Sequence, residues 1–223
     1  MNMLAEMPNL VPILLSGMQA TLILALSTIL IGTCVGTVLG CLAVWGGAII
    51  RILLYALVTI ARGVPLVVQV FAVFFVLPVY GIQFSAMTSA AIALSVFASL
   101  TIMEIVRAGI KAVSHEQYQA ALSLGFSFRD ALMSIVFPQA LRIMIPGLVN
   151  QGVFLVKATS VVSLFGVTEF MFVAKEQIER TLLGFEIMAV VWIMYTLICF
   201  PLTQLGRTLE ARLNVRGAAQ AAS

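Results

Sequence analysis

The chain has 223 residues and a formal net charge of +3; 62% of its residues are hydrophobic and only 9% are charged. Soluble domains carry about 25% charged residues, so this composition excludes a soluble monomer and indicates apolar surface buried in a lipid bilayer. The few basic residues are scattered, which argues against a nucleic-acid partner. The length fits a single transmembrane domain over residues 1–223.

Uncharged stretches predict an all-α, polytopic membrane protein with about five transmembrane helices. About 20 apolar residues are enough to cross the hydrocarbon core of a bilayer. The predicted spans are residues 22–44, two helices within residues 63–103, residues 143–168 and residues 187–205. An interfacial lead-in with Pro12 and Gly17 precedes the first span, and the turn-rich residues 78–89 separate the second from the third.

The distribution of Lys and Arg orients these spans. With the N-terminus outside, nine of the 12 basic residues fall in cytoplasmic segments, whereas only Lys175 and Arg180 fall outside. Cytoplasmic connections are enriched in Lys and Arg. We therefore expect the C-terminus and segment 112–138 in the cytoplasm and an external loop at residues 169–186. The charges of that loop either face a partner protein or are simply solvated.

Gly32, Gly36 and Gly40 recur at every fourth residue of the first predicted span. This spacing places the three glycines on one helix face, where a neighbouring helix can approach closely. Packing within the chain is the favoured interpretation, and a dimer contact is the alternative.

Segment 112–138 is a polar insert with its own helix signals. Ser114 with Gln117, and Ser127 with Asp130, have the spacing of capping boxes. Gly125, between them, stands where a first helix would end in a left-handed residue. The pattern predicts two short helices separated by a glycine break.

The second helix of this insert has one apolar stripe, and Pro138 is expected to stop or kink it before the next span. The stripe consists of Phe128, Ala131, Leu132, Ile135 and Val136. The first helix exposes the small residues Ala120 and Ala121, which suit close docking of another protein. An amphipathic linker lying on the membrane surface is the alternative.

The sequence contains no recognisable catalytic or metal-binding pattern. His115, the single histidine, has no second metal ligand near it, and the three cysteines lie in apolar runs without CxxC or Cys/His pairing. There is no GxSxG, no HExxH and no GxxxxGK[ST]. An intramembrane enzyme is therefore disfavoured, and we expect no metal and no cofactor on this chain.

The insert resembles the EAA loop of ABC-importer permeases. That loop reads Glu-Ala-Ala, three residues, Gly, nine residues and Ile-x-Leu-Pro, and this chain has Gln119-Ala120-Ala121, Gly125 and Ile135-Val136-Phe137-Pro138 at the same spacing. Gln119 replaces the Glu, and Phe137 replaces the Leu. The stretches "ARGVPLVVQVF", "EIVRAGI", "FPQALRIMIPGLVNQ" and "LVKATSVVSLFGVTE" are similar to the polar amino acid uptake branch, so the resemblance extends over roughly residues 15–210.

The resemblance implies a type I ABC-importer permease subunit of a bacterial inner membrane that moves polar amino acids or related derivatives. It implies an identical or different second permease subunit, two cytoplasmic ATPase subunits that hold ATP and Mg, and an external solute-binding protein. It assigns the 112–138 loop to ATPase coupling, with the contact residues Gln119, Ala120, Ala121, Gly125, Ile135 and Pro138. A self-sufficient secondary transporter is the main rival, although no inverted repeat is visible.

Polar residues inside the predicted spans are candidates for the substrate path. They are Gln69, Asn150, Gln151, Lys157, Thr159 and Ser160. A lysine within a span is costly and marks function by default, but Lys157 could equally serve as a structural partner of Glu169 or Glu104. Hydrogen bonds that pack one helix against another are the alternative for Gln69, Asn150 and Gln151, and most of all for Gln69. Glu104 and Arg107 are expected to form an i, i+3 ion pair.

Overall fold

The computed structural model describes residues 3–213, and no strand occurs in that range. The α-helices are α1 (Met3–Trp45), α2 (Ala48–Gly63), α3 (Leu66–Phe71), α4 (Leu77–Val79), α5 (Ala86–Lys111), α6 (His115–Ser123), α7 (Phe128–Ala131), α8 (Phe137–Ala158), α9 (Phe170–Thr181) and α10 (Gly184–Arg212). Two π-helical segments join α3 to α4 (Ala72–Val76) and α7 to α8 (Leu132–Val136), and a 3₁₀ segment (Thr159–Phe165) follows α8. The all-α prediction is confirmed.

Four helical stretches are long and apolar enough to cross a membrane: Pro8–Trp45, Ala86–Lys111, Phe128–Phe165 and Gly184–Arg212. A fifth span results if α2 and the helical segment from α3 to α4, between which the chain bends by 108°, are counted as one. The second predicted span is therefore one arm of a bent pair. The bend lies at Val64, which has extended backbone (φ −102°, ψ 128°) because the following Pro65 disfavours a helical conformation there.

The first span is longer than the sequence pattern predicts. The predicted lead-in around Pro12 and Gly17 is helical and continuous with the first span, and its interfacial position stays a prediction. Leu10, Leu14 and Met18 are buried in a cluster with residues of α9 and α10. Tertiary packing of this apolar face against α9 and α10 stabilises the early turns of the helix.

Pro138 does not stop the helix that precedes it. The helical path runs from α7 through the π segment Leu132–Val136 into α8, with Pro138 near the start of α8. A proline ring crowds the carbonyl four residues earlier and removes one hydrogen bond. The π segment accommodates that defect, and Pro78 follows the other π segment (Ala72–Val76) in the same way.

The glycine repeat lies at the contact between α1 and α5. A Cβ added at Gly32 would stand 2.5 Å from the Cβ of Ala98, and one added at Gly36 would stand 2.8 Å from the carbonyl oxygen of Ser99. A Cβ at Gly40 would stand 2.6 Å from Val106. The interpretation of the repeat as intramolecular packing is thus confirmed.

Gly32→Ala is expected to lower the stability of the protein in detergent, and Ala98→Gly added to it is expected to restore most of that stability. The single variant overpacks the helix pair at a cost of about 1–3 kcal/mol, partly offset by the better helix propensity of Ala. The double variant moves one methyl group across the same contact. Thermal unfolding measures both, with Gly152→Ala as the control, since its nearest neighbour, the Cδ1 of Ile29, is at 3.8 Å. A double variant no more stable than Gly32→Ala would contradict this account.

Candidate coupling helix and intramembrane polar groups

Helix α6 begins at Ser114, although not with the complete capping box that the sequence predicts. The Ser114 hydroxyl accepts a hydrogen bond from the backbone N–H of Glu116 at 3.2 Å. The Gln117 side chain instead accepts from the Gln139 amide at 2.6 Å, and Gln139 also donates to the carbonyl of Ile135 at 3.0 Å. Gln117 therefore ties α6 to the start of α8.

The end of α6 is a Schellman motif. Gly125 has φ +87°, as the sequence pattern predicts, and its N–H donates to the carbonyl of Leu122. The N–H of Phe126 donates to the carbonyl of Ala121 at 3.1 Å. With both ends of α6 satisfied, the helix is held as a rigid unit.

At the start of α7 the Ser127 cap is present, although the Asp130 carboxylate bonds to the Ser127 hydroxyl rather than completing the predicted capping box. The Ser127 hydroxyl accepts from the N–H of Asp130 at 3.2 Å and donates to the Asp130 carboxylate at 2.6 Å. The Phe128 ring then meets the Tyr118 ring of α6 edge-on, with centroids 6.3 Å apart. Side chains of α6 are therefore held at several points by the helix that follows.

The predicted contact residues of α6 divide between two faces. Gln119, Ala120 and Gly125 are exposed, but Ala121 is only 2% exposed and packs inward. The expectation that Ala121 forms an outer contact is therefore wrong for the chain as it is folded here. Its small size instead allows α6 to lie close to the helices beneath it.

Ile135 and Pro138 lie in the continuous helical path that follows α6 in the sequence, from α7 to α8. Ile135 is half-buried in the π segment Leu132–Val136, and Pro138 is exposed at the start of α8. Leu124 and Phe126, which the sequence analysis did not single out, are 79% and 41% exposed beside Gly125. Their signal in the sequence is a pair of large apolar residues flanking a helix-ending glycine.

Asn150 and Lys157 share one exposed face of α8. They are seven residues apart, with the exposed Phe154 between them, so the three residues follow the i, i+4, i+7 spacing of one helix face. Lys157 has no ion-pair or hydrogen-bond partner within residues 8–213, whose side chains the structure describes: Glu104 pairs with Arg107, and Glu169 accepts from other groups. The suggested pairing of Lys157 with either carboxylate is not present.

Comparison with known proteins places this arrangement in a family. Residues 32–215 match the model of the binding-protein-dependent transport system inner membrane component. The chain belongs to this family.

Relatives and solved structures agree. The probable glutamine ABC transporter permease protein GlnP of Bacillus subtilis is 33% identical over 88% of this chain and 91% of its own length. The glutamine transport system permease protein GlnP of Escherichia coli K12 is 28% identical over 92% and 94%. A crystal structure of an amino acid ABC transporter with histidines superposes with a TM-score of 0.87 at 27% identity, covering 95% of this chain and 99% of that chain.

These matches confirm several predictions. The chain is a membrane-spanning permease component of an ABC importer, located in the inner membrane and with the type I permease fold. ATP hydrolysis belongs to separate subunits in such systems, so the permease component is not itself an enzyme. The MetNI methionine transporter has the same fold, with a TM-score of 0.71 at 18% identity. The orientation of the spans stays a prediction.

Two of the proposed substrate-path residues of this permease component are engaged in packing. Gln69 donates to the carbonyls of Ala61 and Val64, at 2.7 and 2.9 Å, and so braces the bend between α2 and α3. Thr159 is fully buried, and its hydroxyl donates to the carbonyl of Val156 at 2.7 Å. In this conformation the Gln69 amide nitrogen and the Thr159 hydroxyl donate to backbone carbonyls of the chain itself.

The other two candidates differ in their environments. Gln151 is 8% exposed, and its amide nitrogen has no hydrogen-bond partner among the described residues. Ser160 is half-buried at the start of the 3₁₀ segment, where its hydroxyl donates to the carbonyl of Lys157 at 2.7 Å. Hence the six candidates do not form one site: Asn150 and Lys157 share an exposed face, whereas Gln151 and Thr159 are each buried.

Glu169 of the permease component is buried rather than outward-facing. The predicted loop at residues 169–186 consists largely of α9, and Glu169 is fully buried at its N-terminus. Its carboxylate accepts from the N–H of Phe172 at 2.8 Å, from the hydroxyl of Thr21 at 3.1 Å and from that of Tyr195 at 3.5 Å. The interpretation of this carboxylate as a solvated or partner-facing charge is therefore wrong.

Opposing effects act on this carboxyl group. Burial raises the pKa of Glu169 above its ordinary value, and the hydrogen bonds donated to its carboxylate act in the other direction, with burial the larger effect. The hydrogen bonds to the Glu169 carboxylate join α1, α9 and α10.

The predicted pair of Glu104 and Arg107 on α5 is confirmed. The two side chains form an ion pair with two hydrogen bonds, of 2.9 and 2.8 Å.

Proposed function

We propose that this chain is the permease subunit of an importer for polar amino acids or close derivatives, driven by ATP hydrolysed on partner subunits. The observation that carries the proposal is α6, a rigidly capped helix whose outer face is exposed and whose inner face is anchored to α8. The amino acid class is supported by relatives whose names specify glutamine and arginine. The proposed partners are a second permease subunit, two ATPase subunits holding ATP and Mg, and an external solute-binding protein.

Uptake by proteoliposomes tests this function. The complete assembly, reconstituted with ATP inside and loaded binding protein outside, should accumulate labelled glutamine or arginine, whereas the permease chain alone should accumulate neither. Accumulation by the chain alone would favour a secondary transporter. If the assembly accumulates none of a panel of polar amino acids but takes up another solute, the assigned substrate class is wrong.

In this proposal the face of α8 that carries Asn150 and Lys157 borders the substrate path. An ammonium group without a partner at membrane depth is costly unless it faces a polar cavity, a substrate carboxylate or a partner subunit. Asn150 lies two turns earlier on the same face and adds an amide that can bind either charged end of an amino acid.

Lys157→Ala is expected to reduce amino acid uptake about tenfold or more while leaving the assembly intact, since one charge-assisted hydrogen bond is lost. Lys157→Arg keeps the charge and should retain more uptake than Lys157→Ala. The initial rate of labelled substrate uptake is the measurement, and size-exclusion chromatography checks assembly. A variant that fails to assemble would instead assign Lys157 a structural role.

A further inference from the structure

A row of polar side chains continues the face of α8 that carries Lys157. Residues three positions apart share a face in an α-helix and are eclipsed in a 3₁₀ helix, so Ser160 and Ser163 follow Lys157 in one line. The Ser160 hydroxyl donates to the carbonyl of Lys157, and the Ser163 hydroxyl donates to the carbonyl of Ser160, each at 2.7 Å. Lys175 of α9 meets the end of this row, because its ammonium donates to the Ser163 hydroxyl at 3.1 Å.

Helix α9 lies further than α8 toward the N-terminal end of α1. A Cβ added at Gly152 of α8 would stand 3.8 Å from the side chain of Ile29, whereas Phe170, the first residue of α9, donates its backbone N–H to Thr21. Lys175 stands five residues further along α9. The polar row therefore leads from α8 toward the side of the membrane that the distribution of Lys and Arg predicts to be outside.

The Lys175 ammonium is turned inward rather than toward water. Lysines at protein surfaces keep their ammonium groups in solvent, but Lys175 is half-buried and contacts Ser163, which is only 5% exposed. No carboxylate of residues 8–213 forms an ion pair with Lys175, and the adjacent Glu176 is paired with Arg180. The contact with Ser163 uses one of three ammonium protons, so two remain for an anion.

We propose that Lys175 and Ser163 form an outer subsite for the carboxylate of the transported amino acid. The substrate occupies it after release from the binding protein and before it reaches Lys157, so the inference rests on the proposed import function. The 3₁₀ rise of about 2 Å per residue puts Lys157 and Ser163 about 12 Å apart, which is one short step for an amino acid. The Ser160 oxygen lies between them and can accept from the substrate ammonium. A small ligand fits better than a protein surface, because the Lys175 ammonium is held inward against a buried hydroxyl.

The transport yield, defined as labelled glutamine or arginine taken up per ATP hydrolysed, tests this subsite on the complete transporter in proteoliposomes. Lys175→Met keeps the length of the side chain and removes its charge. Its yield should fall about tenfold, as expected for one lost charge-assisted hydrogen bond, while loaded binding protein still stimulates ATP hydrolysis. Lys175→Arg should retain more of the yield, and Lys175→Gln provides the same test if Lys175→Met does not assemble.

Two outcomes of this measurement would overturn the subsite. An unchanged yield in Lys175→Met would show that the substrate does not need this ammonium. Loss of the stimulation by loaded binding protein would instead assign Lys175 to the contact with that protein. If the wild-type transporter takes up no polar amino acid, the proposed function itself fails, so the two failures are distinguishable.

Two further variants separate substrate binding from a structural role. Ser163→Ala removes the hydrogen bond between α9 and the 3₁₀ segment but keeps the ammonium, so it should lower the yield less than Lys175→Met does. Equal losses would make Lys175 a tether between helices and overturn the subsite. Arg180→Gln removes an exposed positive charge from the same helix and should leave the yield unchanged. A tenfold loss in Arg180→Gln would mean that general attraction of anions, rather than a site at Lys175, had been measured.

Discussion

Ala120→Trp is expected to abolish the stimulation of ATP hydrolysis by loaded binding protein while leaving the chain folded in the membrane. Ala120 is exposed on the outer face of α6, and an indole there would hold the docked surfaces apart. Contacts across such a gap are lost outright, because dispersion attraction falls steeply with distance. The measurement is the ATPase rate of the purified complex with and without loaded binding protein.

Three companion variants make this test specific. Ala211→Trp places the same bulk at an exposed position near the end of α10 and should retain stimulation. Gln119→Ala should be mild, since its loss amounts to hydrogen bonds worth about 1 kcal/mol net. Ala121→Trp should reduce the amount of assembled protein, because Ala121 is 2% exposed and has no room for an indole. Full stimulation in Ala120→Trp would mean that the ATPase docks elsewhere.

The architecture also suggests how a movement of α6 would reach the membrane. The hydrogen bond between Gln117 and Gln139 links α6 to α8, and the rings of Tyr118 and Phe128 link α6 to α7. The face with Asn150 and Lys157 belongs to the same α8. A displacement of the outer helix is therefore transmitted to the proposed substrate path through one continuous helical rod, without any intervening loop.

Local signals in the sequence predicted local structure well. Gly125 ends α6 in a left-handed conformation because only glycine adopts it without strain, and this requirement is visible in the sequence. The repeat at Gly32, Gly36 and Gly40 likewise predicted a close helix contact. Such features depend on residues a few positions apart, so no knowledge of the tertiary fold is needed to read them.

Features that depend on tertiary packing could not be read in this way. Pro138 was expected to stop or kink a helix, but the helical path continues past it, because the π segment before it accommodates the lost hydrogen bond. Ala121 was expected to face outward, but it is buried. The periodicity of a short helix does not tell which of its sides the rest of the protein covers. Glu169 stands in a charged stretch of sequence that is typical of a loop. Its hydrogen-bond donor Thr21, however, lies 148 residues away in the sequence.

The outcome for Glu169 has a direct consequence for stability. Its carboxylate caps α9 through the N–H of Phe172 and joins that helix to α1 through Thr21. The Thr21 hydroxyl makes two hydrogen bonds: it donates to the Glu169 carboxylate, and its oxygen accepts from the N–H of Phe170 at 3.0 Å. Removing the carboxylate would leave the buried Thr21 hydroxyl and the half-buried N–H of Phe172 without this acceptor, and an unpaired buried donor costs about 1–3 kcal/mol.

Glu169→Ala is accordingly expected to lower the free energy of unfolding by about 2–4 kcal/mol, from the lost cap and the unpaired donors together. Glu169→Gln should cost less, since its amide oxygen can still accept from Phe172. Glu179→Ala, at an exposed position on the same helix, should change little. Thermal or denaturant unfolding of the purified protein in detergent measures the three variants, and equal stability of Glu169→Ala and Glu179→Ala would contradict this role.

The pH dependence of the same measurement tests the protonation of this buried group. Because burial raises the pKa of Glu169 on folding, the native state binds the proton more tightly than the unfolded state does. The wild-type protein should therefore lose stability as the pH rises from the ordinary carboxyl range through the raised pKa. Glu169→Gln has no proton to release and should lack this loss, so its deficit relative to the wild type should shrink as the pH increases. A deficit that grows with pH would show instead that the hydrogen bonds outweigh burial and that the pKa of Glu169 is lowered.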